Sequence, residues 1–521
     1  MRRHVSLLNV TRDPRTVTAL VVAASLLLGY VAAVATTPGP SLPVAPPISL
    51  SPSLLTGLGV VAVVAVVGAR RPMALYAALF ISMPLIDLMR KTGNGDSRLI
   101  LARDALLVLA TVSLTIRYQP WREVRRAFAG YWWPLLLCMA YFAASGTSSA
   151  FANVSIPISG FRLYFSYLAL IGVGWVAGRD RALLRTTAKF GCAVLCVVTS
   201  LGILQAVLGP DFLRASEAAR PLFAHLDLAR ITTGQSGAKV FQPSGPFAEP
   251  GRFANWAFLT LVAGIALVHV RSAGRWRYVV APIGVIGVFA HSGRTLILGS
   301  VVLVAVMLGR QVFRRGRGAR RTLIRVGVVL AAVAIVVNTA FPSLFGSRVQ
   351  FLGLSLNPFS STSELATRAP GYGQFTVRSV FLAGPFGRGL GSQSLGLAHL
   401  NGGDDFIQVG EGGFITVAIE TGAIGLGLWL LWTVRWTRLL WRGAGDDDDE
   451  DASVAATLAC GVTIIWFVNM LVGINAVQDF VTSAGVFFAV GLARSLVATN
   501  SYGSQITNGD ALDRAAAATF P

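Results

Sequence analysis

Charge is scarce in this 521-residue chain, at 13% Asp, Glu, Lys and Arg, and lysine is nearly missing, confined to Lys91, Lys189 and Lys239. Soluble domains carry about 25% charge, so a solvated globule is excluded. What is present instead is 54% hydrophobic residues and a mean hydropathy of +0.63, the composition of a polytopic membrane protein. Cysteine is equally sparse. Cys138, Cys192, Cys196 and Cys460 all lie inside apolar runs, which excludes a disulfide framework. Cys192 and Cys196 share a helix face, but no second pair or nearby histidine completes a metal site. No cleavable signal peptide is expected, because the first apolar run reads as a span that stays. No internal repeat marks an inverted-repeat transporter. The net charge of +20 would point to nucleic acid in a soluble protein. Here the cations sit in short loops between apolar runs, so no nucleic-acid partner is expected.

A membrane helix needs about 20 apolar residues. Runs of that kind predict spans at 17–36, 53–69, 72–88, 99–116, 131–150, 161–178, 187–209, 253–270, 277–292, 294–309, 323–342, 413–434, 453–473 and 477–497. The expected fold is an all-α bundle of 12–14 transmembrane helices, with a large, partly helical extracytoplasmic loop domain. Its parts are N-terminal helices over 1–240, core helices over 241–340, the loop domain over 341–412, C-terminal helices over 413–497 and a disordered cytoplasmic tail over 498–521. Arginine-rich loops at 69–71, 117–126, 179–186, 271–277, 310–325 and 435–442 all fall on the cytoplasmic side of this alternation, as the positive-inside rule requires. The acidic run 446–451 also falls inside and reads as a solvated linker.

One interrupted stretch carries most information. Val279 to Leu308 is apolar except at His291-Ser292-Gly293-Arg294, and both flanks are basic. Two short spans therefore meet at an extracytoplasmic turn. An arginine at membrane depth is costly unless it is paired or functional. Two long outer loops, near 209–252 and 341–412, hold further arginines, among them Arg348, against the orientation rule. Binding an anionic group such as phosphate would explain them.

After the second loop the chain reads Gly410-Glu411-Gly412-Gly413, followed by Glu420, Gly422 and Gly425. Ser292-Gly293-Arg294-Thr295, Gly245-Pro246-Phe247-Ala248-Glu249-Pro250 and Gly384-Pro385-Phe386-Gly387-Arg388-Gly389-Leu390-Gly391 precede it in order. These segments, covering about residues 240–435, resemble the O-antigen ligase and O-antigen polymerase family of bacterial envelopes. Where that family starts the helix after its large loop with histidine, this chain has Glu411.

The resemblance implies a metal-independent, cofactor-free membrane glycosyltransferase of the plasma (inner) membrane, with its active site on the extracytoplasmic face. The donor would be a polyprenyl-diphosphate-linked glycan and the acceptor a glycan or lipid-linked hydroxyl in envelope polysaccharide synthesis. The His-to-Glu departure favours polymerase over ligase. Arg294 is the expected diphosphate contact, and Arg368, Arg378 and Arg388 are loop cations of which one or two reach the site. Arg252 is either a second phosphate contact or an ion-pair partner of Glu249. Glu411 is the candidate general base, or else an acid complementing a helix N-terminus. Glu249 and His399 are rival bases, and Glu420 is expected to orient an arginine. Asp404-Asp405 reads as a polar loop. Arg103, Asp104 and Arg162 read as structural charges near the outer interface, Arg162 also within reach of the lipid carrier. A transporter or flippase of lipid-linked glycans is the alternative from another class, and a non-catalytic envelope assembly protein a third.

Overall fold

The computed structural model describes residues 72–92, 99–150, 155–215, 231–233, 239–247, 249–267, 273–315, 339, 346, 348–350, 377–378, 381–392, 412–443, 450–472 and 479–498. The expected spans 17–36 and 53–69, most of 323–342 and of the loop 341–412, the run 446–449 and the tail from 499 lie outside these residues.

The described chain is almost wholly helical. In order come α1 (Pro72–Thr92), α2 (Leu99–Tyr118), α3 (Trp121–Ala127), α4 (Trp132–Ala150), α5 (Ser155–Phe165), a 3-10 turn (Ser166–Ala169), α6 (Leu170–Arg179) and α7 (Arg181–Ala215). A two-stranded hairpin follows, β1 (Ile231–Thr233) antiparallel to β2 (Lys239–Phe241), with Thr232 opposite Val240. Then come α8 (Pro250–Leu267), α9 (Trp276–His291), α10 (Arg294–Arg315), α11 (Gly413–Gly443), α12 (Glu450–Val472) and α13 (Phe480–Ala498).

Among the described residues, five helical stretches are long and apolar enough to cross a membrane: Ile156–Arg179, Arg181–Pro210, Gly413–Leu439, Ser453–Met470 and Phe480–Ala498. Shorter apolar helices at Met73–Met89, Tyr278–His291 and Leu296–Met307 coincide with three more expected spans. The protein is thus an all-α, multi-pass membrane protein.

Three details depart from the plain alternation of spans and loops. The arginine-rich segment 117–126 is partly helical, and α3 meets α4 at 109°. The stretch Ile156–Arg179 contains the 3-10 turn Ser166–Ala169. The two longest helices are also broken at glycine, α7 at Gly209 (φ 75°, ψ 169°) and α11 at Gly422 (φ 69°, ψ −170°).

In lipid the helices gain little from apolar burial against one another, so close backbone approach and van der Waals packing hold them. Gly174 and Gly178 of α6 pack against the Phe488–Leu492 backbone and Ser495 of α13, and Gly491 of α13 packs against Ile171. A Cβ at Gly174 would collide with Phe488 O, and one at Gly491 with Ile171 O. The α8–α9 pair is equally tight, with Gly264 against Ala281 and Gly284 against Leu261. Elsewhere aromatic rings do the filling. Trp429, Trp432 and Trp436 recur on one face of α11, where Trp429 stacks on Phe142 at 5.8 Å and Trp432 meets Trp466 at 6.1 Å.

Side-chain pairs mark the two ends of the bundle. At one, Glu123 takes the Trp175 indole N–H (3.1 Å) and pairs with Arg179 (3.2 Å), while Asp451 pairs with Arg181 (2.6 Å). This is the arginine-rich end expected to face the cytoplasm. The other end carries the residues considered next.

Candidate functional site

At the opposite end, the starts of α2, α8 and α13 and the end of α1 converge on Phe480. The Arg103 guanidinium lies 3.9 Å from the centre of its ring, and that of Arg252 lies 5.1 Å away. Cations near an aromatic ring are drawn to the negative charge of its π faces. Arg252, in the first turn of α8, donates to Asp87 Oδ2 at 2.7 Å and pairs with Glu249 at 3.2 Å. Asp87 is buried, with 1% of its side chain exposed. The ion pair of Arg252 with Glu249 is present, and Asp87 is a stronger partner that sequence reasoning missed. Its only sequence signal was an acid at the end of the apolar run 72–88.

Beside it, Arg103 and Arg162 share one carboxylate, Asp104, at 3.7 and 2.5 Å. One turn past Arg252, Asn255 donates to Asp479 Oδ2 (2.7 Å) and accepts from Asn469 (2.8 Å). Thr482 adds its backbone N–H and hydroxyl to the same Asp479 oxygen, at 3.0 and 2.7 Å. Asp479 Oδ1 is buried without a hydrogen-bond partner among the described residues. Buried polar groups inside a membrane bundle are rare unless they serve binding or transport. Asn255, Asn469 and Asp479 were absent from the sequence reading: the two asparagines are single polar residues in apolar runs, and Asp479 lies beside Gln478 near the start of one.

The His-Ser-Gly-Arg turn forms as expected. The α9 helix ends at His291, Ser292 takes left-handed φ 56°, and α10 begins at Arg294. A left-handed serine is uncommon, and this one is held twice, its N–H to Val288 O (3.2 Å) and its hydroxyl to Phe289 O (2.7 Å). Arg348, read earlier as one of the outer-loop cations, is buried against the end of α9. Its Nε donates to Ala290 O and its Nη2 to Phe241 O, both at 3.0 Å. A cation at a helix C-terminus complements the dipole. Burial lowers its pKa to about 10, so it stays charged at neutral pH. Arg348 therefore joins the hairpin to the turn. Arg294 holds the first position of α10, and its side chain lies outside the described residues.

The glycine-rich segment 384–391 shows an arrangement the sequence did not suggest. It fills the break in α11. Arg388 N–H donates to Ile419 O (2.8 Å) and Gly389 N–H to Glu420 O (3.0 Å). In return Ala423 N–H donates to Gly384 O and Ile424 N–H to Pro385 O, both at 3.3 Å. Non-helical backbone at membrane depth persists only where its polar groups are satisfied, and here two irregular segments satisfy each other. Gly384, Gly387, Gly389 and Gly391 all have positive φ. At Gly387 a Cβ would come within 2.5 Å of Glu420 O. The spacing of these glycines thus reflects backbone approach.

Around this plug, Tyr141 OH donates to Thr421 O (3.0 Å) and Ser149 Oγ to Leu390 O (2.8 Å). Glu420 is fully buried and accepts the Tyr164 hydroxyl at 2.8 Å. Tyr164 of α5 is thus one partner of this carboxylate. Arg378 and Arg388 are both exposed. Glu411, Arg368, His399 and Asp404-Asp405 lie outside the described residues.

The structure therefore brings Arg103, Arg162, Arg252 and Glu249 together on one bundle end, and sets Arg388 of the plug against the α11 break that holds Glu420, beside α5. In comparisons with known proteins, the chain matches no family model and no curated protein.

Proposed function

We propose that the protein transfers a glycan from a polyprenyl diphosphate carrier to an acceptor hydroxyl on the extracytoplasmic side of the plasma membrane, with polymerisation ahead of ligation. The observation that carries this reading is the gathering of Arg103, Arg162 and Arg252 at one bundle end, each held by an acid. A departing diphosphate develops negative charge, and cations fixed beforehand meet that charge without reorganising. Arginine suits the role because it is always charged and presents a planar fork to phosphate oxygens. Arg294, at the start of α10, and the exposed Arg388 are the further cations assigned to the diphosphate.

In the reaction the bond from the donor's anomeric carbon to the diphosphate oxygen breaks, and a bond from that carbon to the acceptor oxygen forms. The acceptor proton passes to a carboxylate, assigned to Glu411 at the lead-in to α11. Glu249 is committed to Arg252, which weakens it as a base. The bundle of 12–14 spans and the capping loop domain belong to the same proposal.

The test is turnover by purified protein in lipid, supplied with a polyprenyl diphosphate oligosaccharide from its own host. A ladder of longer lipid-linked chains, lost in Arg294→Ala and Glu411→Gln but kept in Glu249→Gln, is the expected result. Normal turnover by Glu411→Gln would sink the base assignment. No new glycosidic bond with an authentic donor would overturn the enzyme reading. One observation favours the alternative of a transporter or flippase: the buried Asp479–Asn255–Asn469 network, since ionisable groups inside a bundle mark ion and substrate pathways. Movement of a labelled lipid-linked glycan across vesicles, without bond formation, would establish it.

A further inference from the structure

At the arginine-rich end of the bundle, α3 is an elbow of 7 residues set at 109° to α4. The first turns of α4 expose Trp133, Leu136 and Leu137, the apolar side that a spanning helix shows to lipid. A helix nearly at right angles to it runs close to the plane of the membrane surface. The α3 sequence, Trp-Arg-Glu-Val-Arg-Arg-Ala, divides into two faces. Arg122, Arg125 and Arg126 stand at i, i+3 and i+4 on one face, and all three are exposed. Val124 is buried on the other face, with Phe128 buried one turn on. Both ends of the elbow are fixed. Trp121 packs on Gly172 of α6 and donates its indole N–H to Thr115 Oγ1 at 2.8 Å. Arg494 of α13 donates to Ala127 O at 2.7 Å, and the Phe128 ring lies 5.0 Å from that of Trp436 in α11.

We propose that the exposed face of α3 binds the headgroups of anionic phospholipids in the leaflet around this end of the bundle. The proposal stands apart from the glycan-transfer reading and does not need it. Charge is its first support. Among the described residues, Arg122, Arg125 and Arg126 have no ion-pair or hydrogen-bond partner. The acids around them are engaged elsewhere. Glu123 is held by Arg179 (3.2 Å) and the Trp175 indole (3.1 Å), and Asp451 by Arg181 (2.6 Å) and Arg185 (3.6 Å). Asp180 caps α7 through the N–H groups of Ala182 and Leu183. Three guanidiniums on one helical turn suit phosphate oxygens, which arginine grips through paired N–H donors. Position is the second support. Trp133, 69% exposed, follows the elbow directly, and a lipid-exposed tryptophan at a helix end marks headgroup level. An in-plane helix, basic on its free face and apolar beneath, is the form that rests on an anionic lipid surface. The rival occupant is the chain's own acidic run, Asp446–Asp449. That run leads to Asp451, which is drawn to the start of α7 and not to α3.

The test uses full-length protein in phosphatidylcholine nanodiscs doped with photoactivatable phosphatidylglycerol, compared with a matched photoactivatable phosphatidylcholine. The expected result on wild type is phosphatidylglycerol cross-linked within 121–133, about tenfold or more above the matched phosphatidylcholine. Arg122→Gln, Arg125→Gln and Arg126→Gln should each lower that labelling about fivefold, the share of one arginine near an anionic surface. Arg126→Lys keeps the charge and should lose less. Equal labelling by the two lipids, or phosphatidylglycerol cross-links confined to other segments, would overturn the proposal on wild-type protein alone. So would displacement by inorganic phosphate where sodium chloride of equal ionic strength displaces nothing, the mark of a site for a soluble anion. Labelling of the triple glutamine variant at the wild-type level would overturn it too. Changing Asp446, Asp447, Asp448 and Asp449 together to asparagine should leave labelling unchanged. A severalfold rise there would make the acidic run the resident of this face and end the lipid assignment.

Discussion

Replacing Gly422 with alanine should pull the plug out of α11. Gly422 has φ 69° and ψ −170°, a region essentially reserved for glycine. Holding alanine there costs about 1–3 kcal/mol. Its Cβ would also collide with Pro385 O and lie 2.5 Å from Gly387 N, both backbone atoms. Relief requires segment 384–389 to move away. That movement threatens four backbone hydrogen bonds: Arg388 to Ile419, Gly389 to Glu420, Ala423 to Gly384 and Ile424 to Pro385. Each is worth about 1 kcal/mol net and more if its groups stay buried. Strain and bond loss are alternative outcomes in part, so the expected local destabilisation is about 2–5 kcal/mol. Amide hydrogen exchange on the detergent-purified protein reads this directly. Exchange at Arg388, Gly389, Ala423 and Ile424 should accelerate together, while the α8–α9 pair stays protected. Gly427→Ala is the control, because a Cβ there meets nothing within 4 Å and lies in regular helix. It should be neutral or stabilising by about 0.5–1 kcal/mol. Unchanged protection of the four amides in Gly422→Ala would refute the account of the plug.

Arg252→Ala leaves Asp87 buried without its guanidinium and should cost about 3–5 kcal/mol; Asp87→Asn in the same chain should recover much of it, read by thermal unfolding in detergent. Tyr164→Phe removes the hydroxyl donor to buried Glu420 and should cost about 1–3 kcal/mol, with a melting temperature equal to wild type counting against the pair. Arg388→Ala, at an exposed side chain, should leave the melting temperature unchanged but lower glycan transfer if the transfer reading holds; full activity would remove Arg388 from the diphosphate site.

The sequence by itself determined the class of the molecule. Apolar runs at membrane length and arginines clustered between them depend only on local composition, which is why α1, α7, α12 and α13 appear close to where the runs predict them. It also located the turn at His291–Arg294, because a polar interruption between two apolar runs has few other solutions. The tertiary structure decided what the polar exceptions do. Asp87 and Arg252 stand 165 positions apart, and Tyr164 and Glu420 stand 256 apart, so no local pattern could pair them. The glycines of 384–391 were legible as a motif, but their reason was not. They fit because another segment, broken at Gly422, brings its own unsatisfied backbone to the same place. Periodicity records how a segment faces its surroundings, whereas hydrogen-bond exchange between two irregular segments exists only once the chain has brought them together.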